Sequence, residues 1–247
     1  MIQQKKNPNQ SAIQRGTKWQ SEASEYKGGA GARGYRIEDD QEYEGLHETG
    51  LEKTIQRPEE GFGDVRVGLA WDNIHEERGP WWKRLFNKAR DKGVDLDLGC
   101  LYVLKNGERG AVQAFGELFG SYDQEPFVRL SGDNQSGEGE GDDENLLING
   151  QYWDRCDRLV LYAYIYGGAP NWGFVKPELT IEIPGETPLK IRPSVLKSDY
   201  PVCAIALVEN REGNMKLTNR TEYYPSHPAM DRAFGIGVQW GQGEKAG

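Results

Sequence analysis

The chain has 247 residues, with 39 Asp or Glu against 30 Lys or Arg, and a formal net charge of -9. This acidic balance argues against a nucleic-acid-binding protein, which needs a basic surface. The sequence has no apolar run of about 18 residues that could span a bilayer and no apolar stretch after its first lysines. We therefore expect a soluble protein without a secretory signal, located in the cytoplasm.

The first 60 residues are predicted to form a disordered arm. They contain 15 hydrophobic residues, scattered singly among polar ones without a period of 2 or 3.6. Such a segment buries too little apolar surface to offset its chain entropy. A GxGxxG pattern at 29–34 follows no apolar strand and opens no helix, so a flexible tether is favoured over a dinucleotide site.

From residue 65 onward, short runs rich in β-branched and aromatic residues are separated by Gly, Pro and Asn. This pattern predicts an all-β fold, an antiparallel β-sandwich, in residues 61–247. The predicted strands are 65–71, 96–104, 111–115, 127–131, 158–166, 179–183, 188–192, 202–208, 215–224 and 234–240.

Two of these strands have informative faces. In 96–104 the apolar side chains alternate, which puts Asp95 and Asp97 on the opposite face from Leu96 and Leu98. Segment 158–166 is apolar on both faces, so we expect a central strand. Its tyrosines form either a binding platform or packed core, and packing is favoured.

A short inserted helix is predicted over residues 80–92, with an apolar stripe and a strongly basic opposite face. Two interpretations stay open. It packs as a lid on the end of the sandwich with solvated charges, or it makes a peripheral membrane contact.

The sharpest feature is an acidic loop, GDNQSGEGEGDDE, at residues 132–144. Clustered carboxylates repel one another, and oxygen ligands with interspersed glycines suit calcium rather than zinc or copper. The loop is not an EF-hand, because Glu138 stands where that motif requires glycine. A solvated loop without metal is the alternative, and Asp95 and Asp97 could complete a metal site.

Several spaced motifs, in order, resemble a known family. They are DVRVGLAWD (64–72), DLDLGCLYVL (95–104), the acidic loop, RLVLYAYIY (158–166) and FGIGVQW (234–240). Together they resemble the TerD superfamily of bacterial tellurium-resistance and stress proteins, and the flanking segments resemble its TerA-like branch. The resemblance covers about residues 64–242, and the helix at 80–92 is an insertion relative to compact members.

The resemblance implies a two-sheet β-sandwich that binds calcium as its cofactor. The implied metal ligands are Asp95, Asp97, Asp133, Asn134, Ser136, Asp142, Asp143 and Glu144, with Ser136 standing where the family usually has threonine. It also implies partners among other tellurium-resistance and stress proteins, including a membrane-embedded one.

The sequence does not favour an enzyme. It has no GxSxG, and His47, His75 and His227 lie far apart, with His227 expected in a turn. A divalent-metal-dependent hydrolase or phosphoryl-transfer enzyme using the acidic loop stays open as the alternative. We expect a non-catalytic binding or scaffold module.

The thiols offer one further chemistry, because thiolates could react with tellurite. Cys100 and Cys203 fall in apolar strand patterns, and Cys156 precedes the central strand. Structural burial is therefore favoured over reactivity. Three widely spaced cysteines also argue against a disulfide framework.

Overall fold

In a computed structural model, the chain is described over residues 14–15, 42–71, 95–114, 116–130, 144–167, 172–194 and 199–240. These residues form fourteen strands, one 3-10 helix and two short α-helices. The strands are β1 (Gln14–Arg15), β2 (Glu44–Gly45), β3 (Glu52–Ile55), β4 (Asp64–Ala70), β5 (Asp95–Leu104), β6 (Arg109–Val112), β7 (Gly120–Ser121), β8 (Val128–Leu130), β9 (Glu144–Asn149), β10 (Cys156–Gly167), β11 (Glu178–Glu182), β12 (Leu189–Ile191), β13 (Val202–Arg211) and β14 (Asn214–Tyr224). The 3-10 helix is Gly150–Arg155, and the α-helices are α1 (Trp172–Val175) and α2 (His227–Phe234).

The strands pair into two sheets. Sheet A has the order β1-β2-β12-β11-β4-β9-β8-β7, and sheet B has the order β3-β14-β13-β10-β5-β6. Strand β2 runs parallel to β12, whereas the pairs that build the rest of both sheets, such as β4 with β9 and β5 with β10, are antiparallel. The prediction of an all-β sandwich is confirmed.

The main core lies between the two sheets. Leu96, Leu98 and Cys100 of β5 have no exposed surface and share one apolar cluster with Val65 and Val67 of β4. Burying each leucine contributes about 1.5–3 kcal/mol. The predicted inward face of β5 is therefore confirmed, and Asp97, which alternates with these residues, faces outward.

Strand β10 is the central strand that its composition predicts. It pairs with β5 on one side and β13 on the other. Its odd-numbered residues from Leu159 to Ile165 enter the core between the sheets, while Val160, Tyr162 and Tyr164 join a second cluster on the outer face of sheet B. The tyrosines at 162 and 164 are thus packed core, as favoured from the sequence.

Helix α2 covers this second cluster. The Ser226 side chain caps its first turn by accepting from the amide of Ala229 at 3.3 Å, and Gly235 ends it in the left-handed region at φ 61°. Met230 of the helix and Ile236 after it are both buried in the cluster. Helix α2 and the loop after it therefore cover part of the outer face of sheet B.

The strand predicted at 234–240 is wrong. Residues 227–234 are helical and 235–240 form no strand. The buried Asp231 carboxylate accepts from the amides of Gly237 at 2.7 Å and Val238 at 3.0 Å, and from Nε1 of Trp240 at 2.9 Å. The apolar alternation of residues 236–240 resembles a strand. The amides of Gly237 and Val238, however, donate to Asp231 and are not available for pairing with another strand.

The start of the folded part also differs from the prediction, because residues 42–60 belong to the sandwich. Strand β2 pairs with β12 in sheet A, and β3 pairs with β14 in sheet B. Leu46 and Ile55 are buried in the main core. The boundary predicted after residue 60 therefore falls too late; residues 1–13 and 16–41 lie outside the described residues.

The other strand predictions hold within a few residues at each end. The sequence misses β9 and the short strands β1, β2, β3 and β7. The helix predicted at 80–92 and the glycine-rich pattern at 29–34 lie outside the described residues.

Candidate metal centre

The eight predicted metal ligands fall unevenly on the structure. Asp97 and Glu144 are described with their side chains, and Asp95 is described as the first residue of β5. The remaining five lie outside the described residues: Asp133, Asn134, Ser136, Asp142 and Asp143.

Asp97 lies on the outer face of sheet B. It stands between Leu96 and Leu98, which both point into the core, so its own side chain points outward and is partly exposed. Directly opposite on β10 is Tyr164. Opposed residues of an antiparallel pair share a face and lie close enough for their side chains to interact.

Glu144 joins the two sheets at this place. It is the first residue of β9 in sheet A, yet its carboxylate accepts a hydrogen bond from the backbone amide of Leu98 in sheet B. This amide is open because β6 pairs with β5 only from Cys100 onward. The residue that ends the acidic loop in sequence is therefore fixed at the edge of β5, one residue from Asp97.

Tyr164 brings both carboxylates into one electrostatic environment. Burial is the main cause that raises the pKa of its hydroxyl, the Asp97 carboxylate raises that pKa further, and Glu144 adds to the rise. The hydroxyl oxygen is buried, and although Asp97 is near, no full hydrogen-bond geometry is reached. The arrangement combines two acids and a polar hydroxyl, which suits a hard cation.

The described residues do not complete a metal site by themselves. Among them, no three His, Cys, Asp or Glu side chains come together as a possible metal-binding group. Asp97 and Glu144 fit a calcium site in chemistry, since both offer carboxylate oxygens. A calcium site here would need further oxygen ligands, and five of the predicted ligands lie outside the described residues.

The histidine predicted as a turn residue is instead the first residue of α2. The ring of His227 packs against the rings of Tyr162, Tyr164 and Trp240, with centroids 5.4, 4.9 and 5.6 Å away. Burial lowers the pKa of His227 to about 4. A neutral ring in an aromatic cluster indicates packing, not general-base catalysis.

The three cysteines are free and buried, as favoured from the sequence. Burial is the main cause that raises the pKa of the Cys100, Cys156 and Cys203 thiols. Because the thiolate is the reactive form, these positions do not favour direct thiol chemistry with tellurite.

A polar cleft of about 240 Å³ is lined by Glu42, Tyr43, Glu44, Lys53, Glu186 and Thr187, none of them a predicted metal ligand. In the part of the chain that the structure describes, no helix has the length and apolar character to cross a membrane.

Sequence reasoning did not place Tyr164 beside the predicted ligand Asp97. The only available signal was the alternation of Tyr162, Tyr164 and Tyr166, which also fits ordinary packing. This position becomes visible only from the register of β10 against β5, which sets Tyr164 opposite Asp97.

Comparison with known proteins gives three relatives. The chain is 35% identical over 184 residues to the tellurium resistance protein TerA of Alcaligenes sp, covering 74% of this chain and 53% of that protein. It is 27% identical over 128 residues to the tellurium resistance protein TerX of Serratia marcescens, covering 47% of this chain and 59% of that protein. It is 29% identical over 123 residues to the stress response protein SCP2 of Bacillus subtilis (strain 168), covering 48% of this chain and 59% of that protein.

No protein-family model matches the chain. The chain spans between 53% and 59% of the length of these relatives. Their names agree with one another in pointing to tellurium resistance or stress, and the match to TerA extends over most of this chain. The chain therefore belongs to the TerD-type family of tellurium-resistance and stress-response proteins, in which it is TerA-like.

Proposed function

We propose that this chain is a calcium-binding module of the tellurium-resistance and stress response, acting in the cytoplasm as a binding or scaffold protein. One observation carries the proposal. Glu144, at the end of the acidic loop, reaches from sheet A to the open edge of β5 beside Asp97. The last residue of the acidic loop and the strand that carries Asp97 therefore lie side by side, which supports one site built from both.

The chemistry of the loop favours calcium. Six carboxylates fall within the twelve residues 133–144, and each close exposed pair costs roughly 1 kcal/mol in a water-like dielectric. A bound divalent ion relieves that repulsion. Calcium accepts six to eight oxygen ligands in varied geometry, whereas magnesium needs a near-ideal octahedron. A mixed set from a strand and a glycine-rich loop supports the larger ion.

A binding role is favoured over the metal-dependent enzyme. Such an enzyme needs a group that positions the nucleophile and a cleft beside the metal. His227 packs in an aromatic cluster, the three thiols are buried, and the cleft at residues 42–44, 53 and 186–187 is lined by other residues. Among the described residues, these features favour a binding module over such an enzyme.

The partners proposed for that surface are other tellurium-resistance and stress proteins, including a membrane-embedded one. The basic segment 80–92 is the proposed contact with an anionic membrane surface or an acidic partner, because aromatic and basic residues alternate there at helical spacing. Free, buried cysteines agree with a reducing compartment.

Calcium titration of the whole chain tests the proposal. A ligand that binds only the folded state stabilises it by about 2.7 kcal/mol at a hundredfold excess over Kd. For a chain of this size we expect the melting temperature to rise by roughly 5–10 °C. Magnesium at the same concentration should raise it much less. No shift with calcium, or equal shifts with both ions, would contradict the proposed site.

Substitutions locate the site. Asp97→Asn and Glu144→Gln each remove one charge with little change in size, and each should weaken calcium binding several-fold or more in calorimetry. Asp123→Asn is the matched control, since Asp123 is exposed next to Tyr122, which contacts Asn149 at the other end of β9. Unchanged affinity in Asp97→Asn would remove β5 from the site.

A further inference from the structure

Tyr164 has an arrangement that packing alone does not explain. Its side chain is 5% exposed and its hydroxyl oxygen is buried without a hydrogen-bond partner. A buried hydroxyl of this kind is unusual, because buried polar groups are nearly always paired. Asp97 lies directly opposite on β5, close enough for its carboxylate to raise the pKa of the Tyr164 hydroxyl.

The ring of Tyr164 is held firmly in place. It lies 4.9 Å from the ring of His227 in an edge-on arrangement and 6.4 Å from the ring of Tyr162. Trp240 packs on the other side of the cluster against His227, and Asp231 fixes the indole of Trp240. Helix α2 and the following loop thus fix where the Tyr164 hydroxyl points.

Tyr162, the neighbour on the same face, provides a contrast. It is fully buried, and its hydroxyl donates to Oε1 of Gln113 at 2.5 Å. One tyrosine hydroxyl of the outer face is therefore satisfied within the sandwich, and the other is left beside a carboxylate. Both tyrosines are buried residues of β10 in the same cluster, so what distinguishes them is the group that each hydroxyl faces.

We infer that Tyr164 is a positioning residue of the metal site, whose hydroxyl donates to the Asp97 carboxylate and orients it toward the bound cation. This inference rests on the proposed calcium site. Carboxylates that bind metals are commonly held by such hydrogen bonds, and removing them weakens metal binding about 10- to 100-fold. Helix α2 supports this role, because the His227 ring holds the Tyr164 ring in place from behind.

The test compares Tyr164→Phe with Tyr162→Phe in the full chain. Both variants keep the ring and lose one buried hydroxyl. We expect Tyr164→Phe to weaken calcium binding roughly tenfold in calorimetry, with Tyr162→Phe staying within about twofold of the parent chain. Circular dichroism and melting without calcium establish that both variants are folded.

A spectroscopic measurement separates positioning from general packing. Calcium should change the near-ultraviolet tyrosine absorbance of the parent chain, because the environment of one phenol hydroxyl changes. Tyr164→Phe should lose that difference signal, and Tyr162→Phe should keep it.

The inference is overturned if Tyr164→Phe binds calcium as tightly as the parent chain, or if both variants lose affinity equally. Tighter binding by Tyr164→Phe would also overturn it, since the hydroxyl would then compete with the metal for Asp97. A parent chain that does not bind calcium refutes the proposed function and this inference together. A parent chain that binds, with an unaffected Tyr164→Phe, refutes the inference alone.

Discussion

Replacing Leu46 by alanine tests whether the segment between β2 and β3 is part of the sandwich. Leu46 has no exposed surface, its amide donates to the carbonyl of Lys190 at 2.9 Å, and its carbonyl accepts from Nδ2 of Asn219 at 2.7 Å. The substitution removes three buried carbons, a loss of about 2.4 kcal/mol in transfer free energy at about 0.8 kcal/mol each. The cavity left behind adds to this, within the 2–5 kcal/mol range typical of buried leucines.

We therefore expect the free energy of unfolding to fall by about 3 kcal/mol and the melting temperature by roughly 6–12 °C. Urea unfolding followed by circular dichroism measures the first quantity, and the slope with urea concentration should stay unchanged. Leu118→Ala is the control, since Leu118 is 46% exposed and should lose well under 1 kcal/mol. A Leu46→Ala loss as small as the control's would show that residues 42–60 contribute little, as their composition predicts.

Two further predictions concern His227 and the basic segment. Burial lowers the pKa of His227 from its ordinary value of 6.5 to about 4. Between pH 6.5 and pH 4 the unfolded chain therefore binds a proton at His227 that the folded chain does not bind. The free energy of unfolding should fall as the pH drops through this range. His227 alone should lower the free energy of unfolding by up to about 3 kcal/mol at pH 4. In urea unfolding, His227→Phe should lose that part of the pH dependence. A pH dependence in His227→Phe equal to that of the parent chain would contradict the prediction. Changing Lys83, Arg84 and Lys88 to Glu should abolish binding to anionic vesicles in a sedimentation assay without unfolding the chain, whereas unaltered vesicle binding would leave solvated charges as the explanation of the basic face.

Much of the fold could be predicted because the apolar pattern of each strand shows which of its faces are buried. In β5 the alternation of Leu96, Asp97 and Leu98 reflects a strand with one face in the main core, and residues 159–165 of β10 are apolar on both faces because both faces are covered. Local patterns of this kind depend only on near neighbours in sequence.

The errors arose where a distant contact decides the structure. Leu46 and Ile55 are single apolar residues in a polar stretch, and only pairing with β12 and β14 makes them core. The alternation of Ile236, Val238 and Trp240 resembles a strand, but the Asp231 carboxylate takes the amides into a loop. The local sequence pattern indicates neither the strand pairing of residues 42–60 nor the bonds from Asp231.

The candidate site was predictable in residue type but not in geometry. Clustered oxygen ligands indicate a hard cation whatever the fold, so the acidic loop and the DLD strand could be chosen from sequence. The contact of Glu144 with Leu98 depends on how far β6 extends along β5, and the position of Tyr164 depends on the register of β10. Both follow from tertiary pairing.

The bond from Leu98 to Glu144 has a mechanical consequence for the whole sandwich. It connects the first residue of a strand in sheet A to the edge of a strand in sheet B, at a place where a strand pair would otherwise be missing. Sliding one sheet over the other must break this link. A cation held by residues of both sheets would therefore act as a rivet between the layers, and its binding energy would resist shear of the entire domain.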